Sequence, residues 1–165
     1  MSTAATDSPV MNRMEISAPV LERIRARSEE IYPEECCGFL FGAREDGRVV
    51  VVDDLATPNV AEPDERTRRF VIEPKALLGV MRESREDGRE VVGFYHSHPN
   101  HPAELSPTDL TFAVLWPRTL WLIVPVRGGV AGKERAWWLP TRDDGSKPRE
   151  ISIGNTPTST GGRWT

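Results

Sequence analysis

The stretch GFYHSHPNHPAELSPTDL, residues 93–110, contains every histidine of the chain: His96, His98 and His101. Three histidines so close together are typical of a metal site, because catalytic zinc is often held by three protein ligands and keeps a fourth position for water. The apolar run EVVGFYHSH predicts a central strand, and SPTDLTFAVLW predicts a helix after it. The stretch thus places candidate metal ligands between a buried strand and a helix.

His96 and His98 lie two positions apart at the end of the predicted strand. Residues i and i+2 of an extended chain point to the same side, so both imidazoles can reach one ion at roughly 2.0–2.1 Å. Pro99 follows and turns the chain out of the strand. The alternative is that each histidine is a surface residue or a hydrogen-bonded core residue, and the spacing alone leaves that open.

Asp109 lies in the first turn of the predicted helix, where its carboxylate can face the strand end as a third ligand. The four residues SPTD also form a capping box, so Ser106 and Asp109 have an ordinary structural explanation as capping residues. A hydrolytic metal site also needs a base. Glu34 and Glu35 stand at the mouth of the apolar run CCGFLFG, although a glutamate in that position is commonly solvated.

Length and the order of elements predict one α/β domain, in which a single mixed sheet is flanked by helices. The 165 residues suit one domain over 14–153, with a flexible leader over 1–13 and a flexible tail over 154–165. Helical patterns over 18–32 and 74–88 are interleaved with strand patterns. Two predicted hairpins make part of the sheet antiparallel.

Further local patterns predict details of this domain. Ser17 is the expected N-cap of the first helix. RFVIE, residues 69–73, predicts a strand, and EISIG, residues 150–154, predicts a last edge strand. The adjacent Cys36 and Cys37 do not make an ordinary disulfide, because neighbours in a strand point to opposite faces.

Composition argues against several classes of function. The net charge is −4 and no run of basic residues is longer than two, which disfavours a nucleic-acid-binding groove. No apolar stretch approaches the roughly 20 residues of a membrane-spanning helix. The N-terminus lacks a signal-peptide pattern. We therefore expect a cytoplasmic protein whose partners are neither nucleic acids nor membranes.

The motif residues together resemble the JAMM (MPN-plus) metalloprotease family. HSHP, six residues and SPTD match its signature H-x-H-P-x6-S-x2-D, and EECCGFLFG supplies the upstream glutamate. The resemblance implies that His96, His98 and Asp109 bind one zinc ion. It also implies that Glu35 is the general acid–base and that Ser106 helps to stabilise the tetrahedral oxyanion. The implied MPN/JAMM fold is related to the cytidine deaminases, whose own signature, H-x-E with P-C-x-x-C, is absent.

The resemblance also implies a class of substrate. Members of the family cut peptide or isopeptide bonds after the C-terminal Gly-Gly of ubiquitin-like proteins. The second zinc site of eukaryotic chain-cutting members cannot be built here, because no histidine follows His101 and no cysteine follows Cys37. The context YPEECCGFLFG is similar to compact prokaryotic Mec-type peptidases, which implies a small ubiquitin-like sulfur-carrier protein as partner. A loop with Arg66, Arg68 and Arg69 either meets an acidic carrier surface or is simply solvated.

Two other functions are compatible with the same motif. The chain could be a non-catalytic MPN module that binds ubiquitin-like partners, although scaffolds of that kind have lost the ligands that are present here. A DNA-repair-associated protein of the RadC kind shares a related metal motif. The acidic net charge and the absence of an extra helical DNA-binding domain count against that function.

Overall fold

The computed structural model describes residues 10–140 and 147–156, so residues 1–9 of the predicted leader and 157–165 of the predicted tail lie outside it. Within the described ranges, no helix is both long and apolar enough to cross a membrane. The same ranges form three helices, namely α1 (Ala18–Ile31), α2 (Pro74–Glu86) and α3 (Pro107–Ala113). They also form eight strands, namely β1 (Arg13–Ile16), β2 (Cys37–Glu45), β3 (Arg48–Thr57), β4 (Glu90–Pro99), β5 (Thr119–Arg127), β6 (Val130–Ala131), β7 (Arg135–Leu139) and β8 (Arg149–Asn155).

The strands form a sheet that closes on itself. Their order is β4-β2-β3-β1-β8-β7-β5-β6, and a further pairing between β4 and β5 closes the ring. β2 and β3 are an antiparallel hairpin, whereas β1 pairs in parallel with both β3 and β8. The mixed α/β architecture predicted from the sequence is confirmed. The closure was not predicted, because it depends on pairings between strands that are distant in the chain.

Strand β4 lies between two neighbours at the centre of this arrangement. It pairs antiparallel with β2 and parallel with β5, and its residues 92–99 are all buried. Burial on both faces explains why its sequence is a continuous apolar run rather than an alternation. His96 lies opposite Cys37 of β2 and opposite Ile123 of β5. This register brings the start of β2 to the end of β4.

One apolar cluster packs on each face of the sheet. The first joins Ile24 of α1 to Tyr95 of β4 and to other buried strand residues. The second contains Phe94 and Trp121, together with partly buried residues of α2 and α3. Because side chains alternate along a strand, His96 points to the same face as Phe94. The histidines of β4 therefore face the side of the sheet that α2 and α3 cover.

Two local predictions need correction, and a third is confirmed. Ser17 is the N-cap of α1 as predicted, although its side chain makes no capping hydrogen bond. Residues 69–73 are not a strand: they belong to a loop in which the side chain of Asn59 accepts the Val71 N–H. β8 is a strand as predicted, but not an edge strand, because β1 and β7 pair with it on either side.

Gly93 permits the close approach of β4 and β5. A Cβ atom at this position would overlap the main-chain carbonyl of Leu120, so an alanine fits only if the strands shift. We expect Gly93→Ala to lower the free energy of unfolding by about 1–3 kcal/mol or more. Gly79 of α2 has nothing within 4 Å of an added Cβ, so Gly79→Ala is the matched control. This control should gain about 0.5–1 kcal/mol from helix propensity. Urea denaturation gives the free energy of unfolding of both variants, and equal values for the two would contradict the close approach of β4 and β5.

Candidate metal centre

The end of β4 places two imidazoles side by side. His96 and His98 are 0% and 6% exposed, and their Nε2 atoms lie 3.0 Å apart. Nδ1 of His98 lies 2.7 Å from the carbonyl oxygen of Pro102. Because a carbonyl only accepts, Nδ1 is the donor, so in the neutral ring Nε2 carries the lone pair. The turn after the strand thus holds His98 in the tautomer that a metal ligand requires.

Aromatic rings, rather than a hydrogen bond at Nδ1, orient the His96 ring. Its Nδ1 has no hydrogen-bond partner among the described residues. The ring centroids of Phe70 and Trp121 lie 4.7 Å and 5.8 Å from that of the imidazole. Burial lowers the pKa of His96, so the neutral ring is favoured. A neutral imidazole is the form that binds a metal.

Helix α3 brings Asp109 to the two histidines. Oγ of Ser106 accepts the Asp109 N–H at 3.0 Å, and the Ser106 N–H donates to Oδ2 of Asp109 at 3.0 Å, which completes a capping box. The same Oδ2 lies 3.1 Å from Nε2 of His96 and 3.0 Å from Nε2 of His98. The capping and ligand interpretations of Asp109 therefore describe one geometry.

The charges of this group depend on burial and on its internal contacts. Burial disfavours the ionised form of Asp109, but His96 beside it and the hydrogen bonds it receives hold its pKa well below the usual range. Burial also disfavours charge on His98, yet its contacts with Asp109 and the Pro102 carbonyl raise its pKa overall. The group therefore holds a buried carboxylate charge that a bound cation would neutralise.

Glu35 is the fourth member of the cluster. It is 3% exposed and lies just before β2. The register that pairs Cys37 with His96 brings Glu35 close to the two histidines and Asp109. One donor atom from each of Glu35, His96, His98 and Asp109 lies within 4.8 Å of the others. Burial raises the pKa of Glu35 to about 8, and its Oε1 has no hydrogen-bond partner in the described part of the chain.

The donor set fits a single small cation. The two Nε2 atoms and Oδ2 lie 3.0–3.1 Å from one another. Atoms bound tetrahedrally to one zinc ion at about 2.0–2.1 Å would be about 3.3 Å apart, so only a small adjustment is needed. Two imidazole nitrogens and a carboxylate oxygen are also ligands that zinc accepts. The unpartnered Oε1 of Glu35 supports the same conclusion, because a buried polar atom normally has a partner.

The other candidates from the sequence lie outside the cluster. His101 is exposed in the loop after β4, and Glu34 is half-buried. Among the loop arginines, Arg66 donates to a main-chain carbonyl and Arg69 pairs with a glutamate of the same loop. Arg68 is exposed and has no ion pair among the described residues, so it is the arginine best placed to meet a partner.

Sequence reasoning missed two residues beside the cluster. Phe70 stacks on His96, and Asn59 donates a hydrogen bond to the main-chain carbonyl of Glu35. Asn59 lies among prolines and charged residues, and an asparagine in such a segment is normally interpreted as an ordinary loop residue. Its contacts become visible only when distant segments are brought together.

Known proteins share this domain. Residues 17–140 match a family model described as prokaryotic homologs of the JAB domain. A desampylase from Pyrococcus furiosus is 34% identical over 119 residues, which cover 72% of this chain and 74% of that protein. A probable TtuB-protein conjugate cleaving protease from Thermus thermophilus is 34% identical over 121 residues, covering 73% of this chain and 72% of that protein. The solution structure of a protein from Salinibacter ruber, 34% identical, covers 88% of this chain and 93% of its own with a TM-score of 0.64.

Zinc binding by single-histidine variants tests the ligand assignment. We expect His96→Ala and His98→Ala to lose bound zinc, because each removes one of three ligand atoms. His101→Ala removes an exposed histidine of the same segment and should retain about one zinc per chain, like the unaltered protein. Elemental analysis of the zinc-loaded proteins measures the difference. Zinc lost from His101→Ala, or retained by His98→Ala, would overturn the assignment.

Proposed function

This chain belongs to the prokaryotic JAB (JAMM) family of metalloproteases, and we propose that it uses zinc to cut the bond after the C-terminal Gly-Gly of a small ubiquitin-like sulfur-carrier protein. The observation that carries the proposal is the convergence of four buried side chains, Glu35, His96, His98 and Asp109. Non-catalytic scaffolds of this fold lack the ligands. A complete ligand set with a buried carboxyl beside it supports hydrolysis instead.

The named relatives support the class of substrate. One is called a desampylase, and another is named as a protease that cleaves TtuB-protein conjugates. The second name describes an enzyme that cleaves conjugates between TtuB and a protein. The reaction proposed for this chain is of the same kind: the bond after Gly-Gly is cut, and the carrier protein is the product that ends in Gly-Gly.

Glu35 moves the protons of the reaction. A zinc ion held by His96, His98 and Asp109 would supply Lewis acidity for a water molecule and for the scissile carbonyl. Glu35 accepts a proton from the attacking water and delivers it to the nitrogen of the leaving amine. Without a bound cation, burial raises the pKa of Glu35 to about 8, and the charge of a zinc ion would lower it from there toward neutral pH. The carboxylate is a stronger base than usual, and its protonated form is still an acid near neutral pH.

Ser106 supplies a donor for the oxyanion. Its Oγ accepts the Asp109 N–H, so the hydroxyl proton is available to donate. A donor directed at the developing negative charge of the tetrahedral oxygen lowers the barrier to its formation. The capping role and the catalytic role of Ser106 are therefore compatible.

We propose that two loops beside the cluster form the walls of a channel for the Gly-Gly tail. The loop over residues 58–73 covers His96 through the ring of Phe70. The loop after β4 contacts His98 through the Pro102 carbonyl. Glycine lets a main chain approach such a confined site most closely, because it has no Cβ. This restriction explains why the tail should end in two glycines.

Loss of the acid–base should separate catalysis from folding and metal binding. We expect Glu35→Gln to lower the cleavage rate by about 100- to 10,000-fold, because the amide cannot accept or deliver the proton. Zinc content and thermal stability should be retained. Glu34→Gln is the matched control, and its rate should equal that of the unaltered protein. Full activity in Glu35→Gln would refute the role of Glu35.

The substrate is tested with a ubiquitin-like sulfur carrier that bears a C-terminal extension after Gly-Gly. Incubation with the zinc-loaded protein should remove the extension, as followed by the mass of the carrier. Replacing the last glycine of the carrier with alanine should slow cleavage strongly, because the added Cβ obstructs the channel. Binding of the carrier without any turnover would contradict the proposal and identify a non-catalytic binding module instead.

A further inference from the structure

The side chain of Asn59 uses all of its hydrogen-bonding capacity. Its Nδ2 donates to the main-chain carbonyls of Glu35 and Arg69, both at 3.0 Å. Its Oδ1 accepts from the N–H groups of Ala61 at 3.1 Å and Val71 at 3.0 Å. An asparagine amide has two donor hydrogens and an oxygen with two lone pairs, so this amide is saturated. It joins main-chain atoms that belong to separate segments of the chain.

These bonds attach the main chain of Glu35 to residues 58–73, which we call the Asn59 loop. The Glu35 carbonyl accepts from Asn59 at 3.0 Å, and the Glu35 N–H donates to the Arg66 carbonyl at 2.7 Å. Glu35 lies before Cys37, where the pairing of β2 begins, so no strand partner bonds to its own main chain, although the next residue, Cys36, is bonded to Ser97 of β4. The Asn59 loop therefore supplies both main-chain hydrogen bonds that Glu35 makes within the described residues.

The carboxyl group of Glu35 has no comparable support of its own. Its Oε1 is buried and has no hydrogen-bond partner in the described ranges. The direction in which the carboxyl points must then follow from the Glu35 main chain and from packing. A displacement of about 1 Å in a reacting group can cost about 100-fold in rate. Whatever holds the Glu35 main chain therefore controls the position of the acid–base.

We propose that Asn59 is a positioning residue for Glu35: by binding the Glu35 carbonyl to the Asn59 loop, it keeps the carboxyl group beside the ligand atoms. The inference rests on the proposed function, since it gives Asn59 a part in proton transfer by Glu35. The same amide accepts the N–H of Val71, whose neighbour Phe70 covers His96. One side chain thus links the acid–base to the aromatic cover of a metal ligand.

Asn59→Asp tests this role at nearly constant size. It replaces both donated N–H groups with an oxygen that would face the carbonyl oxygens of Glu35 and Arg69, and the repulsion should displace Glu35. We expect kcat to fall by about 10- to 100-fold, with KM little changed and zinc content retained. Asn155→Asp makes the same change of charge at an exposed position in β8 and should keep the kcat of the unaltered protein.

A double-mutant cycle separates positioning from a general structural effect. Asn59→Asp is combined with Glu35→Gln, and single-turnover rates are compared. If Asn59 acts through the Glu35 carboxyl, its replacement costs little once that carboxyl is gone. A loss that is fully additive in the double variant would overturn the proposal, because a role in stability or substrate binding would persist without Glu35.

A measurement without substrate or metal keeps the two proposals distinguishable. In Asn59→Asp, amide hydrogen exchange followed by NMR should be faster at Glu35, whose carbonyl loses its donor, and unchanged at Phe94 in β4. Unchanged protection at Glu35 would refute the positioning role whatever the activity. If the unaltered protein cleaves no carrier, the proposed function fails, and the exchange data still decide whether Asn59 holds Glu35.

Discussion

The pairing of β4 with β2 on one side and β5 on the other is the constraint on which the site depends. It sets His96 opposite Cys37, and the chain before β2 then carries Glu35 to the same end of the sheet. The parallel partner β5 lies close because Gly93 has no side chain. A slip of one residue in this register would turn both imidazoles toward the opposite apolar cluster. The ligand geometry is therefore a property of the sheet as much as of the motif.

The two buried carboxyl groups of the cluster differ in their partners and therefore in their pKa values. Asp109 keeps its charge because the Ser106 N–H and two imidazoles surround its Oδ2. Glu35 has no such partners at Oε1 among the described residues, so burial raises its pKa to about 8. A pair of carboxyl groups whose environments separate their pKa values is suited to two different tasks. One is fitted to bind a cation and the other to carry a proton.

The sequence predicted the parts of the site that depend on neighbouring residues. The two histidines were visible from their spacing, and both interpretations of Asp109 were visible in the capping pattern. Choosing Glu35 over Glu34 required the family resemblance, because that choice depends on the pairing of β2 with a strand far along the chain. The strand predicted over 69–73 was wrong for a similar reason. Its alternating residues belong to a loop bonded to Asn59, and no local pattern reveals that contact.

The Asn59 loop shows how a side chain can replace a strand partner. Two main-chain carbonyls and two N–H groups must be satisfied there at once, and they lie in segments that form no strand ladder with one another. A serine hydroxyl has one donor, an ionised aspartate has none, and a glutamine would place its amide one methylene further out. Asparagine therefore meets the requirement at this reach. Held by the four hydrogen bonds of Asn59, the loop keeps Phe70 and Glu35 in place. Arg68 of the same loop is exposed and accessible to a protein partner.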